Sequence, residues 1–313
     1  LQRAEVQCVY VGSHPRHHAE TVRAALEAHK HVLCEPPLAL TFEEAEPLVQ
    51  MAQNRGLVLA MNYTWRASGA VHRMAELLPA DSLGELLGGR IRNSAYLPTE
   101  RQSWRLQEEG GGVLWDRTLH DLDLLRFLLR LPVREVYARR GRSTLALRGE
   151  DVEDEIIGHA LLTGGLAFQL HDSFIQPHAP VMVELYGTHG SLQATAYAPA
   201  DTGAELLLRR GETVQREAVP AINPYRASVA NFLAAVRGTA PALATAGDEL
   251  YNLAAATAVR RVGDMKLSGT RRCTAYTTVD GTISVRCTPR QLAPPIPCAE
   301  EDRDPPRSPT TDP

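Results

Sequence analysis

Lysine is nearly missing from this sequence. Among 313 residues only Lys30 and Lys266 occur, and arginine supplies the rest of the 33 basic side chains. Chemistry that needs a lysine amine therefore has two candidates. Cysteine is sparse as well: the five, at 8, 34, 273, 287 and 298, are odd in number and widely spaced. No CxxC pair occurs, so neither a zinc site nor a disulfide framework is signalled. A reducing, cytoplasmic compartment is the default. No apolar run approaches the roughly 18 residues of a membrane helix, so no membrane partner is expected. Residues 1–5 carry none of the regions of a signal peptide. Basic excess is absent too: 33 Lys+Arg stand against 37 Asp+Glu, a formal net charge of −4, which argues against a nucleic-acid partner. What is present is apolar content, 44% of residues, enough for a core in one or two domains.

Three regions separate along the chain. The first, 1–66, alternates short apolar runs with helical patterns: strands over 6–11, 31–34 and 57–61, and helices over 18–29 and after Thr41. Thr41 with Glu44 three residues on has capping-box spacing. Strand–helix–strand–helix–strand predicts a parallel sheet. The second region, 67–262, predicts helices over 69–78, 118–130, 225–237 and 247–261. Its strands are expected over 85–96, 133–140, 155–161, 166–174, 180–186, 191–196 and 204–209, with Gly164-Gly165 as a hairpin turn. This half reads as an open, mostly antiparallel sheet with helices on one face. An apolar outer face over strands 133–186 would serve homo-oligomer contacts. The third region, 263–313, has poor periodicity and a Pro-, Ser- and acid-rich end, and reads as a disordered tail.

Three stretches resemble the Gfo/Idh/MocA oxidoreductases. Residues Ser13-His14-Pro15-Arg16-His17-His18-Ala19-Glu20 look like that family's TP-x-x-x-H-A-E loop after the fourth Rossmann strand. Residues 31–39, with Glu35-Pro36-Pro37 at their centre, are similar to H-V-x-x-E-K-P-x-A. Residues 110–123, Gly110-Gly111-Gly112 through Asp116, His120 and Asp123, resemble G-G-G-x-L-x-D-x-G-x-H-x-x-D. Asn62-Tyr63 with Arg66, and residues 183–192, add weaker support. The resemblance spans about 1–262. It implies an α/β chain: a partial Rossmann domain, the C-terminal half of one, then an α+β domain with a large open sheet. It implies hydride transfer between NAD or NADP and a carbinol on a sugar, cyclitol or similar polyol.

Two departures accompany the resemblance. No G-x-G-x-x-G turn for a pyrophosphate occurs, and the chain opens at what the resemblance makes the fourth strand, as an N-terminally truncated sequence would. At the family's catalytic lysine stands Pro36, with no charge and no donor. Lys30 lies before the strand and Lys266 beyond the matching region. The catalytic pair is then His120 as general base, with Asp116 orienting the imidazole or binding a substrate hydroxyl. On a helix, positions four apart share a face. The alternative for His120 is a structural histidine satisfied by Asp121 or Asp123. Thr118 stands where the family usually has glycine. Ser13, His14, Pro15, His18, Glu35, Pro36, Asn62, Trp104 and Arg105 are the candidate cofactor contacts. Arg66 is either a substrate contact, with Asp116 and His120, or a structural ion pair. His14, His17 and His18 lack convergent partners for a metal. A second reading of the two departures is a non-catalytic relative that serves binding or self-association.

Overall fold

A computed structural model describes residues 3–78, 82–107, 109–142, 152–195 and 203–263, with the backbone of two further strands at 271–277 and 283–289. Strands β1 (Cys8–Val11), β2 (His31–Cys34) and β3 (Leu59–Met61) form a parallel sheet in that order. Helices α1 (His18–Glu27) and α2 (Phe42–Asn54) connect them and pack on each other. The α2 start is as expected: Thr41 Oγ1 accepts from Glu44 N at 3.2 Å. Val22, Ala25 and Leu26 of α1 and Ala45, Leu48, Val49 and Ala52 of α2 turn inward at helical spacing.

A 3₁₀ turn (Thr64–Ala67) and α3 (Gly69–Leu77) lead to a second sheet. It holds β4 (Leu86–Ser94), β5 (Val133–Gly141), β6 (Glu155–Leu162), β7 (Ala167–Ser173), β8 (Met182–Gly187), β9 (Ser191–Thr195), β10 (Ala204–Arg210) and β11 (Thr213–Val219). Two more strands, β12 (Arg271–Thr277) and β13 (Ile283–Pro289), extend it past β5. The order is β11-β10-β9-β8-β4-β7-β6-β5-β12-β13, antiparallel except for the β4–β7 pair. Gly164 and Gly165 turn β6 into β7 with φ of 88° and 83°.

Helices α4 (Leu119–Leu129), α5 (Pro224–Val236) and α6 (Ala246–Gly263) complete the chain. Phe168, Leu170, Val183, Leu185, Leu192 and Ala194 form the buried side of the large sheet. α6 runs from the first sheet to the second: Met61 N donates to Ala244 O at 3.0 Å, and α6 packs on α2, α4 and β5. α5 covers the first sheet, with Phe232 packed against Leu33 and Ala60.

Two expectations are corrected. Part of the segment read as a disordered tail is paired strand: Cys273 lies opposite Val136, and β12 and β13 form a hairpin over seven residue pairs. The rest of 264–313 lies outside the described residues. The open face of the large sheet is also not an apolar plane. It carries the Arg90–Glu184 ion pair at 2.7 Å, the His171–Glu155 contact at 3.3 Å, and exposed Gln169 and His159, with Ile157 among them.

α6 is tied to the first sheet by one buried acid. Glu249 Oε1 accepts from Leu38 N at 2.8 Å, and its other oxygen accepts from the Tyr63 hydroxyl. Burial pushes this carboxyl up to about 8. A raised carboxyl stabilises the fold below its ordinary range and loses that contribution as pH climbs through the raised value. Glu249→Gln keeps an acceptor for Leu38 and adds a donor for Tyr63. Its melting temperature should fall less than that of the unaltered protein between mildly acidic and mildly alkaline pH, measured by a calorimetric series.

Candidate active site

The site is built on the Gly110-Gly111-Gly112 turn. Gly112 has φ of +93°, and a Cβ there would lie 2.3 Å from Glu153 Oε1. The missing side chain lets Glu153 reach the backbone: Leu114 N donates to its carboxylate at 3.0 Å, and Val113 N to its carbonyl at 3.1 Å. Arg140 holds the other Glu153 oxygen. From this anchor residues Leu114–Thr118 form a π-helical turn that runs into α4. Such turns recur at functional sites because the wider loop re-aims one or two side chains.

Asp116 and His120 sit on either side of that junction, and they are not a hydrogen-bonded pair. Asp116 Oδ1 accepts from Arg105 Nε at 2.7 Å, and the Arg105 guanidinium lies 4.5 Å from the Trp104 ring. Asp116 as the group that orients the imidazole is therefore corrected: its carboxylate is held by Arg105, from the Trp104–Leu106 turn that precedes the glycines. The structural alternative for His120 also fails. Asp123 is taken by Arg66 and Asn252, and Asp121 faces Asp172. His120 Nδ1 is buried without a hydrogen-bond partner among the described residues. The ring is instead clamped by aromatic faces, Tyr63 edge-on at 5.3 Å and Trp65 tilted at 4.7 Å. Burial pushes the imidazole below its ordinary value, against the pull of Asp116 and Asp123. The ring is neutral at physiological pH and can accept a proton.

The candidate cofactor residues lie at the carboxyl ends of β1, β2 and β3, where parallel α/β sheets bind ligands. After β1, His14 Nδ1 caps Arg16 N at 3.3 Å, and Pro15 packs under Gly110. The buried His18 ring joins two loops, one nitrogen 2.7 Å from Pro37 O and the other 2.8 Å from Ser13 O. Trp104 lies 5.5 Å from His14, so the third motif closes onto the first. His14, His17 and His18 face different partners, Trp104, Arg16 and the two carbonyls.

Glu35, after β2, accepts from Asn62 Nδ2 at 2.7 Å and from the Tyr10 hydroxyl. Burial pushes its carboxyl up, against those two donors. Asn62 is fully buried and its Oδ1 has no partner among the described residues. An orphaned acceptor beside a half-buried loop, at the end of three parallel strands, fits the amide of a nicotinamide ring. Ser13, His14, Asn62 and Trp104 are the residues that would hold it. Pro36 follows Glu35 past the end of β2, is partly exposed, and is joined to Pro37 by a cis bond.

Arg66 is not a substrate contact. It is buried, it grips Asp123 with Nε and Nη2 at 2.8 and 2.6 Å, and its Nη1 reaches Leu243 O at 2.8 Å and Asp248 at 3.3 Å. Its second predicted role, a structural ion pair, is the one it has.

The motifs include Tyr63 without giving it a role, and they leave out Trp65, its partner in the clamp on His120, and Tyr225. The last opens α5, and its phenol lies within electrostatic reach of Glu35, Arg105 and Asp116. Burial, and then the Glu35 charge, push it up, although the side chain is 54% exposed at the edge of the cleft. Tyr225 lies outside every motif, with no pattern to mark it.

A parallel sheet with loops at its carboxyl end, beside a histidine whose Nδ1 has no partner among the described residues, is a build that suits a nicotinamide-dependent oxidoreductase. A family model described as oxidoreductase family, NAD-binding Rossmann fold, matches residues 1–63, and one described as GFO/IDH/MocA C-terminal domain matches residues 71–193. The chain belongs to the GFO/IDH/MocA family. It is 34% identical over 257 residues to a 1,5-anhydro-D-fructose reductase of Ensifer adhaerens, covering 82% of this chain and 77% of that one. Its structure is similar to a 3-ketoreductase from Actinomadura kijaniata in complex with NADP and TDP-benzene, with TM-score 0.71, 25% identity, and coverage of 83% and 79%. The fold also matches an aldose-aldose oxidoreductase from Caulobacter crescentus complexed with glycerol, at TM-score 0.75, 21% identity, and coverage of 83% and 78%. The cofactor class is NAD or NADP. Among the described residues no helix is long and apolar enough to cross a membrane.

Removing the Arg66 guanidinium leaves Asp123 charged and buried. Arg66→Met should cost about 3–5 kcal/mol of unfolding free energy, the usual penalty for breaking a buried pair from one side, read by urea denaturation.

Proposed function

We propose that this chain interconverts a secondary alcohol and a ketone on a sugar, cyclitol or similar polyol, with His120 as the general base. The observation that carries the reading is His120 itself: an imidazole that burial shifts toward its neutral form, with Nδ1 unpaired and no carboxylate bonded to it among the described residues. A residue kept in that state costs stability, and a perturbed titratable group in such surroundings is a candidate for chemistry. When bound, the nicotinamide supplies the hydride acceptor or donor. His120 would take the substrate hydroxyl proton in the oxidation direction and return it in the reduction direction. Asp116, fixed by Arg105 at 2.7 Å, keeps a carboxylate oxygen for a substrate hydroxyl. Tyr225 offers a hydroxyl from the opposite edge of the cleft. Tyr63 and Trp65 exclude water from two sides of the imidazole. The sugar and nucleotide-sugar oxidoreductases among the relatives support a polyhydroxylated substrate.

The test is turnover of NAD(P)H with sugar ketones, preceded by titration of NAD(P)H fluorescence. His120→Ala should lower kcat/KM by roughly 10²–10⁴-fold with cofactor binding retained, the range for a positioned general base. In the oxidation direction, with NAD(P)+ and a polyol, the acid limb of kcat/KM should lie below the ordinary histidine value, because the lowered imidazole stays neutral until the pH falls further. Absence of any fluorescence change at millimolar cofactor would remove the reading.

Pro36 supplies no donor past the end of β2. Pro36→Lys places an ammonium there and should raise kcat, measured against the same ketones. An unchanged or lower kcat in a folded variant would show that this position does not face the reacting oxygen.

A further inference from the structure

Beneath the turn that bears Asp116 and His120 lies a pair of carboxyls that this chemistry does not touch. Asp121, in the first turn of α4, and Asp172, on β7, are both 0% exposed. Thr118 Oγ1 donates to Asp172 Oδ2 at 2.6 Å. Among the described residues, both Asp121 oxygens, Asp172 Oδ1 and the amide nitrogen of Asn93 are buried without a hydrogen-bond partner. Asn93 lies directly beside Asp172 on β4.

Two facing carboxylates cannot both hold charge in an interior. One proton between them turns two orphaned oxygens into an O–H···O⁻ hydrogen bond, among the strongest kinds available to side chains. The electrostatics agree with that arrangement. The charged group facing the pair is Arg117, whose Nη1 donates to Asn93 O at 3.0 Å and to Ser173 O at 2.6 Å. Asp116 and Arg105 act on that guanidinium from the site side with opposite sign, and Asn93 faces the pair from β4. One cation balances one carboxylate and leaves the other carboxyl to be neutral. Burial, and then the Asp172 charge, push Asp121 well above the ordinary carboxylate range. Asp172 is raised by burial, with Asp121 and Thr118 as its donors.

We propose that Asp121 and Asp172 share a single proton at neutral pH, Asp121 donating to Asp172, and that this acid–carboxylate pair with Thr118 positions the turn bearing Asp116 and His120 on the sheet. Asp121, Asp172 and Thr118 are positioning residues: they reach the reaction through the turn. Its bearing on Asp116 and His120 rests on the reading of those residues given above; the proton itself does not. The device loses its proton as pH rises, a second negative charge then enters the interior, and the turn loosens from β7.

The experiment uses the whole chain carrying Glu249→Gln, which removes one further raised carboxyl; Glu35, also raised, is common to every variant compared, so the band is read as the difference that Asp121→Asn makes. Infrared spectroscopy should show a protonated-carboxyl C=O band at neutral pH that Asp121→Asn abolishes. The amide of Asp121→Asn is a permanent donor to Asp172, so this variant should keep its neutral-pH melting temperature and lose the alkaline decline, whereas Asp121→Ala should melt lower at every pH. The alkaline limb of kcat/KM should move up in Asp121→Asn. If Asp121→Asn does not fold, Asp172→Asn, with the donor on the other side, carries the same two readouts. No carboxylic-acid band at neutral pH, or an alkaline decline unchanged by the amide, would overturn the proposal. The infrared and melting arms need no turnover, so a chain with the band and without turnover keeps the shared proton and loses only the oxidoreductase reading.

Discussion

The ion pair of Arg66 and Asp123 fixes the distance on which the site depends. Arg66 belongs to the same short 3₁₀ turn as Trp65, directly after Tyr63, and Asp123 lies one turn beyond His120 on α4. The pair therefore sets how far the aromatic clamp stands from the imidazole. Nη1 adds Leu243 O and Asp248, and Asn252 donates to Asp123 at 2.7 Å, so α6 is drawn into the same junction. A planar fork with two parallel hydrogen bonds resists rotation as well as separation. Buried pairs of this kind contribute less net stability than their number of contacts suggests. Their value here is geometric: three elements from distant parts of the chain meet at a fixed angle.

Desolvation governs the charges around that junction. His120, Glu35, Glu249 and Asp121 are each shifted first by burial, and in each the shift favours the neutral form. The carboxylates held by well-placed guanidinium groups, Asp123 by Arg66 and Asp116 by Arg105, are the ones that suit a charged role. Around the junction, groups that burial shifts toward the neutral form thus stand apart from carboxylates paired with guanidinium groups. This separation lets a histidine act as base beside a carboxylate without the two forming a closed pair.

Much of the scaffold was legible in the sequence because its signals are local. The period of the apolar residues placed α1, α2 and β5 through β10 within a few positions, and Gly164-Gly165 marked its hairpin. β11 escaped because its residues are almost all exposed and carry no alternation, as suits an edge strand. β12 reads Arg-Arg-Cys-Thr-Ala-Tyr-Thr, polar enough to pass for loop, and its pairing with β5 is a long-range event. In the site, the motifs located His120 and Asp116 but misassigned what Asp116 touches, since the Arg105 contact depends on how the Trp104–Leu106 turn folds back. Arg66 and Asp123, 57 residues apart, and Tyr225 at the head of α5 come together only in three dimensions.

The two residue-level departures from the family pattern differ in kind. Thr118, at a position the family usually gives to glycine, is absorbed: its hydroxyl has a buried acceptor in Asp172 on the neighbouring strand, and the side chain is 0% exposed. A hydroxyl placed there without such a partner would cost more than the methyl group gains. Threonine and aspartate thus form one unit, and the altered position is part of the scaffold that carries His120. Pro36 is compensated by nothing comparable. It sits partly exposed past the end of β2, and its neighbour Glu35 is committed to Tyr10 and Asn62. A scaffold repaired around Thr118 but left without a cation at position 36 is one in which the histidine side of the site is held fixed while the lysine side is open. The groups left to meet a substrate oxygen are then the imidazole, the carboxylate on Arg105 and the phenol of Tyr225. That set suits a reaction whose proton moves through a neutral base and not through an ammonium.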